Sequence, residues 1–233
     1  MASVLVLHGF TSHPVRTMGP LPEVLRAAGF EVAQPALRGH GTRPEDLAGV
    51  RYPDWLEDAR AAWRGLPAPR AVVGLSMGGL LAAWLAAEEE AFALVALAPA
   101  LGFRNPLAGL APYLHWLIPR YRGESSILDP ELRKQSPNYP WFPSRAFVEL
   151  KKLADRTPAV LPRVRAPALV VAAEHDRVVP RAAVERYYRG LGSPSKRLVI
   201  QEGSGHDLLL DRRAEEVSKR VAAFLEAARK GAV

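Results

Sequence analysis

The stretch from Arg70 to Ala86 constrains the fold of this chain more than any other. It begins with the apolar run 71–73, which is typical of a parallel strand covered on both faces. Apolar side chains then recur at helical spacing, at Leu80, Leu81, Trp84 and Leu85. A strand is therefore predicted to turn directly into a helix, and the turn between them reads G-L-S-M-G.

This turn places Ser76 in a G-x-S-x-G pattern, which holds a serine on a strained strand-to-helix turn above the sheet edge. Gly74 and Gly78 are expected where a Cβ would collide with neighbouring backbone, and Gly79 where the helix packs close to the sheet. The pattern alone matches by chance in roughly one chain in ten of this size, so the flanking strand and helix carry the argument. The sequence predicts a nucleophilic serine; the alternative is a Gly-rich turn that does no chemistry.

Length and composition are those of one globular enzyme domain. The chain has 233 residues, of which 48% are hydrophobic and 24% charged, and no linker-like composition divides residues 1–233. There is no cysteine, which excludes disulfides and thiolate metal sites. We see no secretory signal, and the longest apolar stretch, Leu107–Ile118, contains Pro112 and is too short to span a bilayer. We expect a cytoplasmic protein without stable membrane insertion.

The net charge of +7 raises the question of a nucleic-acid partner. The arginines are scattered through every segment, and no basic stretch carries interleaved aromatic residues, so we expect no nucleic acid. Richness in arginine, together with 21 prolines and no cysteine, hints at a thermophile, although a GC-rich genome gives the same arginine bias.

Strand-like apolar runs alternate with helical patterns along the chain. We predict strands at residues 3–7, 30–33, 71–73, 92–98, 168–173 and 198–200. Amphipathic helices lie between most of them, and a closing helix carries Val217, Val221 and Leu225 on one face. The alternation predicts an α/β fold with a mostly parallel sheet and helices on both faces.

The interval between the strands at 92–98 and 168–173 is too long for a single crossover helix. We interpret residues 101–162 as a small inserted cap over the strand ends. Its apolar side chains suit an acyl-chain wall: Phe103, Leu107, Leu110, Tyr113, Leu114, Trp116 and Leu117. Tyr113 and Trp116 are the substrate-binding candidates. A structural subdomain and an oligomer contact are the alternatives, and the oligomeric state stays open.

Three side chains suited to nucleophilic catalysis follow predicted strand ends, in the order Ser76, Asp176, His206. Ligands bind open α/β sheets at this edge, and serine-acid-histidine is the order found in α/β-hydrolases. His206 would take the serine proton, and Asp176 would orient the imidazole and stabilise its charged form. Glu174 is the rival acid, but it lies at the strand end rather than on the turn that follows.

The remaining polar residues near these positions receive other interpretations. Asp207 adjoins His206 and is expected to point away from its ring, and Asp211 is expected to cap the closing helix. No acid follows the strand at 92–98 until Glu124, which removes the other common position for a triad acid. His8 is interpreted as structural, because at a strand end its ring can satisfy loop backbone.

Two backbone N–H groups are candidates for binding an oxyanion. The Met77 N–H opens the helix after Ser76, where it has no partner within the helix and lies at the positive end of the helix dipole. The second donor in this kind of fold comes from the loop after the first strand, which reads His8-Gly9-Phe10. Phe10 is therefore the candidate by position.

The sequence resembles the bacterial carboxylesterase and monoacylglycerol lipase family of the α/β-hydrolase fold. The likeness rests on H-G-F-T at 8–11, G-H-G-T with E-D-L and D-W at 39–55, G-L-S-M-G-G at 74–79, H-D at 175–176 and S-G-H at 204–206. It implies a triad of Ser76, Asp176 and His206 and oxyanion donors at Phe10 and Met77. The family's loop after H-G-F-T usually continues with glycine, whereas Ser12 and His13 follow here. For the cap the resemblance implies nothing specific.

The predicted function is hydrolysis of carboxylic esters of short to medium acyl chains, including monoacylglycerols, through an acyl-serine intermediate. The expected partner is a small-molecule ester, and no metal or organic cofactor is expected. Fold and triad do not fix the reaction, so a cofactor-free C–C hydrolase or lyase on the same fold is the alternative. A third interpretation is a hydrolase-like binding protein that binds a small ligand but turns over no ester.

Overall fold

A computed structural model describes residues 1–123 and 125–233; Glu124 and the side chain of Leu107, both named above, lie outside the described part. The strands are β1 Ala2–Leu7, β2 Phe30–Ala33, β3 Arg70–Leu75, β4 Ala93–Leu97, β5 Arg120–Arg122, β6 Trp141–Pro143, β7 Ala168–Ala173 and β8 Lys196–Gln201. The α-helices are α1 Leu21–Ala27, α2 Tyr52–Arg64, α3 Met77–Glu88, α4 Ala111–Leu114, α5 Pro130–Lys134, α6 Ser144–Arg156, α7 Arg181–Gly190 and α8 Ala214–Arg229. Short 3-10 helices lie at Arg16–Met18, Pro44–Leu47, Pro106–Leu110, Thr157–Ala159 and Leu161–Arg163.

The main sheet has six strands in the order β2-β1-β3-β4-β7-β8, and each neighbouring pair is parallel. Its strands are the six that the sequence predicts. Because all run in one direction, their carboxyl ends meet at one edge, which is where ligands bind in sheets of this type. Strand β1 pairs with β2 on one side and with β3 on the other, so the strands of this sheet that follow β2 in the chain are added on the opposite side of β1.

Helices cover both faces of this sheet, as predicted. Alternate residues of a strand face opposite sides, and in β3 the side chain of Val72 joins one buried cluster while Ala71 and Val73 join another. The first cluster includes side chains of α2, α3 and α7, and the second includes those of α1 and α8. The predicted class, an α/β-hydrolase fold with a mostly parallel sheet, is confirmed.

Between β4 and β7 the chain forms a segment of its own, which we refer to as the inserted segment. It contains α4, α5 and α6 and a two-stranded antiparallel ribbon of β5 and β6. Helix α6 packs against α2 and α3 of the main body. We keep the proposal that this segment acts as a cap. Among the described residues, no helix combines the length and the apolar character needed to cross a membrane.

The predicted cap of the closing helix is wrong. The residue at the N-cap of α8 is Arg213, and no side chain in the described part of the chain caps the helix. Asp211 is buried and accepts hydrogen bonds from the backbone N–H groups of Gly205 and Leu128, both at 2.9 Å. The prediction failed because a buried carboxylate needs donors, and here one donor lies six residues before Asp211 while the other lies 83 residues away.

Candidate active site

Ser76 occupies the turn between β3 and α3, with φ 55° and ψ −112°. A positive φ is strained for a residue with a Cβ, so the surrounding backbone must hold it. The Ser76 N–H donates to the carbonyl of Leu97 at 2.8 Å, and the Ser76 carbonyl accepts from the N–H of Gly79 at 3.0 Å. This is the strained strand-to-helix turn that the G-x-S-x-G pattern predicts.

Two glycines make the turn possible. A Cβ on Gly74 would lie 2.0 Å from the carbonyl oxygen of Gly78, and a Cβ on Gly78 would lie 2.2 Å from the carbonyl oxygen of Leu7. Any side chain at either position would therefore push the helix away from the strands. The N-terminus of α3 consequently lies directly against the end of β1.

The loops after β3, β7 and β8 bring the three predicted catalytic side chains together. His206 Nε2 lies 2.9 Å from Ser76 Oγ, and His206 Nδ1 lies 2.8 Å from Asp176 Oδ2. These contacts correspond to an imidazole that donates its Nδ1–H to the carboxylate and accepts the serine O–H at Nε2. The exposed fractions are only 8% for Ser76, 7% for His206 and 5% for Asp176. The three side chains thus form one continuous, largely buried chain of hydrogen bonds.

The carboxylate of Asp176 is fixed on both oxygens. While Oδ2 faces His206, Oδ1 accepts hydrogen bonds from the N–H groups of Val178 and Val179, both at 2.8 Å. Arg104 holds the same loop from the inserted segment, because its Nε donates to the Asp176 carbonyl at 2.7 Å. The carboxylate therefore presents a single oxygen to the imidazole.

Electrostatics in the buried pair favour the charged forms of both groups. Burial on its own would raise the pKa of Asp176, but the charge and hydrogen bond of His206, with the two backbone N–H groups, hold that pKa below its ordinary value. Burial would likewise lower the pKa of His206, but the charge and hydrogen bond of Asp176 raise it, with a smaller contribution from Asp207. An imidazolium formed by taking the serine proton is thus stabilised where it forms.

The rival acids lie outside this chain of hydrogen bonds. Glu174 is exposed, accepts the N–H of Gly203 at 2.9 Å and lies 3.3 Å from Nε2 of His175. Asp207 accepts from the N–H of Ser126 at 3.3 Å and from Nδ2 of Asn138 at 3.2 Å, as expected of a carboxylate that points away from the His206 ring. Burial raises the pKa of Asp207.

The two candidate oxyanion donors lie on elements that adjoin Ser76. A Cβ on Gly9 would lie 3.3 Å from the Cβ of Ser76, so the loop that carries Phe10 runs beside the serine. Within the described part of the chain, the N–H groups of Phe10 and Met77 have no hydrogen-bond partner. Met77 is the first residue of α3, where the helix dipole is positive. Both groups are therefore available to an oxygen bound next to Ser76.

Aromatic packing fixes the loop that carries Phe10. The Phe10 ring packs edge-on against Phe142, Trp55 and His40, with ring centroids 5.1, 6.0 and 6.2 Å apart. His8, in the same loop, is fully buried: Nδ1 donates to the Gly9 carbonyl at 2.9 Å, and Nε2 accepts the Leu37 N–H at 3.2 Å. The structural role predicted for His8 is confirmed.

Protonation of His8 should destabilise the fold in acid. Burial lowers the pKa of His8 from 6.5 to about 4, so the unfolded chain binds this proton more readily than the folded one. Stability should therefore fall as the pH drops from 6.5 to about 4, by about 3 kcal/mol from this residue. Burial also lowers the pKa of His40, which adds to the loss. Urea unfolding of wild type and His8→Asn across this range measures the effect.

The His8→Asn variant should start less stable near neutral pH and lose less on acidification, so that the two curves converge. His175→Asn, at an exposed histidine, is the matched control and should follow the wild-type curve. If the free energy of unfolding of wild type and of His8→Asn fell in parallel with pH, protonation of His8 would not be a cause of the acid destabilisation.

The cap candidates Tyr113 and Trp116 do not form a buried wall. Their exposed fractions are 73% and 69%, and the Trp116 Nε1–H donates to the carbonyl of Tyr113 at 2.8 Å. Their contribution to substrate binding stays a prediction. Among residues 1–123 and 125–233, no group of three or more His, Cys, Asp or Glu side chains is arranged to hold a metal ion.

Sequence reasoning missed a polar network around His206. Ser126, in the inserted segment, accepts the N–H of His206 at 3.1 Å, and Asp211 accepts the N–H of Gly205. Local patterns gave no sign of Ser126, because its partner lies 80 residues away. Asp211 follows H-D at 206–207 after three leucines, but its position before a helix suggested capping.

Comparison with known proteins gives a consistent set of relatives. The family model named Hydrolase_4, described as serine aminopeptidase, S33, matches residues 1–213. A thermostable monoacylglycerol lipase of Bacillus sp. (strain H-257) is 31% identical over an alignment of 214 residues, and the match covers 89% of this chain and 84% of that protein. A carboxylesterase of Bacillus subtilis (strain 168) is 26% identical over 249 residues, with 96% and 92% of the two chains covered.

Among solved structures, one described with the metagenome-derived lipolytic enzymes LipS and LipT superposes with a TM-score of 0.91 at 34% sequence identity. The match covers 97% of this chain and 93% of that one. These proteins carry names of ester-cleaving enzymes, in agreement with the resemblance read from the motifs.

Proposed function

This chain belongs to the Hydrolase_4 family of α/β-hydrolases, described as serine aminopeptidase, S33, and on that premise we propose that it cleaves carboxylic esters of short to medium acyl chains through an acyl-serine intermediate. One observation carries the proposal: the hydrogen-bonded chain from Ser76 through His206 to Asp176. A serine hydroxyl is a poor nucleophile at neutral pH, and a base held at hydrogen-bond distance activates it by accepting its proton.

In the proposed mechanism, Ser76 Oγ attacks the ester carbonyl carbon while its proton passes to His206 Nε2. The carbonyl oxygen becomes an oxyanion and accepts hydrogen bonds from the N–H groups of Phe10 and Met77. His206 then gives the proton to the leaving alcohol, and the C–O bond breaks to leave an acyl-serine. Water, deprotonated by His206, attacks the acyl group in the same way and releases the carboxylic acid. Asp176 holds the imidazole and stabilises its charged form throughout.

The names of the relatives favour esters as substrates. The first two curated relatives are a monoacylglycerol lipase and a carboxylesterase, whereas the family model is named for an aminopeptidase. The test is therefore a panel that contains p-nitrophenyl esters, a 1-monoacylglycerol, an aminoacyl p-nitroanilide and a β-diketone. We expect turnover of the esters. Turnover of the anilide or the diketone without turnover of any ester would reject the proposal in favour of a peptidase or a C–C hydrolase.

Acyl-chain preference should depend on the inserted segment. Burial of one methylene contributes roughly 0.8 kcal/mol, so kcat/KM should rise by up to about fourfold for each added carbon until the pocket is full. Tyr113 and Trp116 are exposed and would gain burial by packing on the acyl chain. Tyr113→Ala and Trp116→Ala should each lower kcat/KM for octanoate esters by about tenfold while leaving acetate esters nearly unchanged.

The matched control is Leu132→Ala, which removes another partly exposed apolar side chain from the inserted segment. It should leave the whole acyl-chain series unchanged. A specificity that peaks at acetate, or that ignores both aromatic substitutions, would show that these side chains do not bind the acyl chain.

A further inference from the structure

Residues 125–129 of the inserted segment run along the two loops that carry Asp176 and His206. Ser126 and Ile127 are buried there. They lie close to the loop that carries His206, which we call the base loop, because a Cβ on Gly205 would lie 1.7 Å from the carbonyl oxygen of Ser126. The inserted segment therefore contacts the backbone next to His206 directly.

The Ser126 hydroxyl is shared between both loops. Its Oγ accepts a hydrogen bond from the N–H of His206 at 3.1 Å and another from the N–H of Arg177 at 3.4 Å. The first donor belongs to the base itself, and the second belongs to the residue after Asp176. A single oxygen atom thus joins the backbone of the base loop to the backbone of the acid loop.

Ser126 is itself held in place by the residues around it. Its N–H donates to Asp207 Oδ2 at 3.3 Å. Asp211 accepts from the N–H groups of Leu128 and Gly205, both at 2.9 Å, so one carboxylate ties the inserted segment to the base loop a second time. Because these contacts do not involve its side chain, the Ser126 hydroxyl acts from a fixed backbone.

We propose that Ser126 is a positioning residue of the active site, whose hydroxyl keeps the His206 ring and the Asp176 carboxylate at hydrogen-bond distance from each other. This inference rests on the proposed function. Ser126 is buried and its hydroxyl contacts the N–H groups of His206 and Arg177, so we expect it to act on the reaction through the two loops that carry these residues. Without the hydroxyl, the N–H groups of His206 and Arg177 lose their shared acceptor, and the two loops are free to move apart. Displacement of a catalytic group by about 1 Å can reduce a rate by about 10²-fold.

The experiment compares Ser126→Ala, Ser126→Thr and the matched control Ser125→Ala. The control removes the neighbouring hydroxyl, which, among the residues that the structure describes, accepts only the N–H of Ile127, at 3.5 Å. We expect Ser126→Ala to lower kcat by about 10- to 100-fold with KM within about threefold, since no substrate contact is lost. Ser126→Thr, which keeps the oxygen, should recover most of kcat, and Ser125→Ala should match wild type.

A pH profile separates positioning from a loss of stability. The carboxylates that act on His206 are Asp176 and Asp207, and the first of these should pair less closely with the ring in Ser126→Ala. The imidazolium is then less stabilised. The acid limb of the pH profile, where kcat falls as His206 becomes protonated, should therefore move to lower pH. Ser126→Ala with a lowered Tm but wild-type kcat and an unmoved acid limb would overturn the proposal, and so would failure of Ser126→Thr to recover kcat when it folds normally.

The rate of Ser76 modification by a fluorophosphonate makes this test independent of the substrate. The reagent reports activation of the serine by His206 without any ester turnover. If wild type reacts with the reagent yet hydrolyses no ester, the proposed function fails while Ser126 is still tested, because labelling of Ser126→Ala should still be about 10- to 100-fold slower than labelling of wild type. Equal labelling rates in wild type and Ser126→Ala would overturn the inference alone.

Discussion

Ser76→Ala is expected to reduce kcat for p-nitrophenyl butyrate by about 10⁶-fold while the protein stays folded. Removal of the nucleophile from a serine hydrolase removes the acyl-enzyme route, and only the oxyanion donors and substrate binding remain to accelerate attack by water. The fold should tolerate the change, because the side chain of Ser76 contributes one hydrogen bond, to His206, and alanine also has a Cβ at this strained φ. Tm should therefore move by no more than a few degrees, as for a change of about 1 kcal/mol.

The measurement combines initial rates, thermal unfolding and fluorophosphonate labelling of the purified protein. Ser204→Ala is the matched control, since Ser204 is a buried serine on the base loop whose hydroxyl has no partner in the described part of the chain. We expect the control to keep wild-type activity and labelling. Ester turnover by Ser76→Ala within tenfold of wild type would remove Ser76 from the mechanism.

The parts of this fold that sequence could predict are those set by local patterns. Strand β7 was predicted with both bounds correct, because six consecutive apolar residues between Pro167 and the polar residues 174–176 have few other uses in a chain of this class. The turn at Ser76 could be predicted equally well, because it requires glycine at 74 and 78, where a Cβ would lie 2.0 and 2.2 Å from backbone carbonyl oxygens. Once strand ends are known, a parallel sheet brings the residues that follow them to one edge.

The parts that sequence could not predict depend on contacts between distant segments. Asp211 looks like a helix cap from its neighbours, yet its donors include Leu128, which is 83 residues away. Ser126 lies in the inserted segment, where nothing in the surrounding residues distinguishes it from Ser125. Periodicity likewise places Tyr113 and Trp116 on an apolar stretch but does not say what covers it, and both are exposed. Such contacts are properties of the tertiary structure alone.

Asp176→Asn is expected to lower kcat/KM by about 10⁴-fold with little change in the fold. The N–H groups of Val178 and Val179 require an oxygen acceptor, so the amide should keep its oxygen toward them and turn its NH₂ group to His206 Nδ1. Nδ1 must then accept a hydrogen bond, which places the ring proton on Nε2. In that tautomer the imidazole cannot accept the Ser76 proton, and the charge that raises the pKa of His206 is also lost.

Glu174→Gln is the matched control, because it makes the same change two residues earlier on the same loop. The exposed glutamine can still accept the Gly203 N–H through its amide oxygen, so we expect kcat/KM and Tm close to wild type. Steady-state rates near neutral pH and thermal unfolding of both variants decide whether Asp176 or Glu174 is the acid that orients His206. If Glu174→Gln lost activity and Asp176→Asn kept it, the acid role would pass to Glu174. That exchange would require the carboxylate that contacts Gly203 to reach the imidazole instead, which the 2.8 Å contact between Asp176 Oδ2 and His206 Nδ1 argues against.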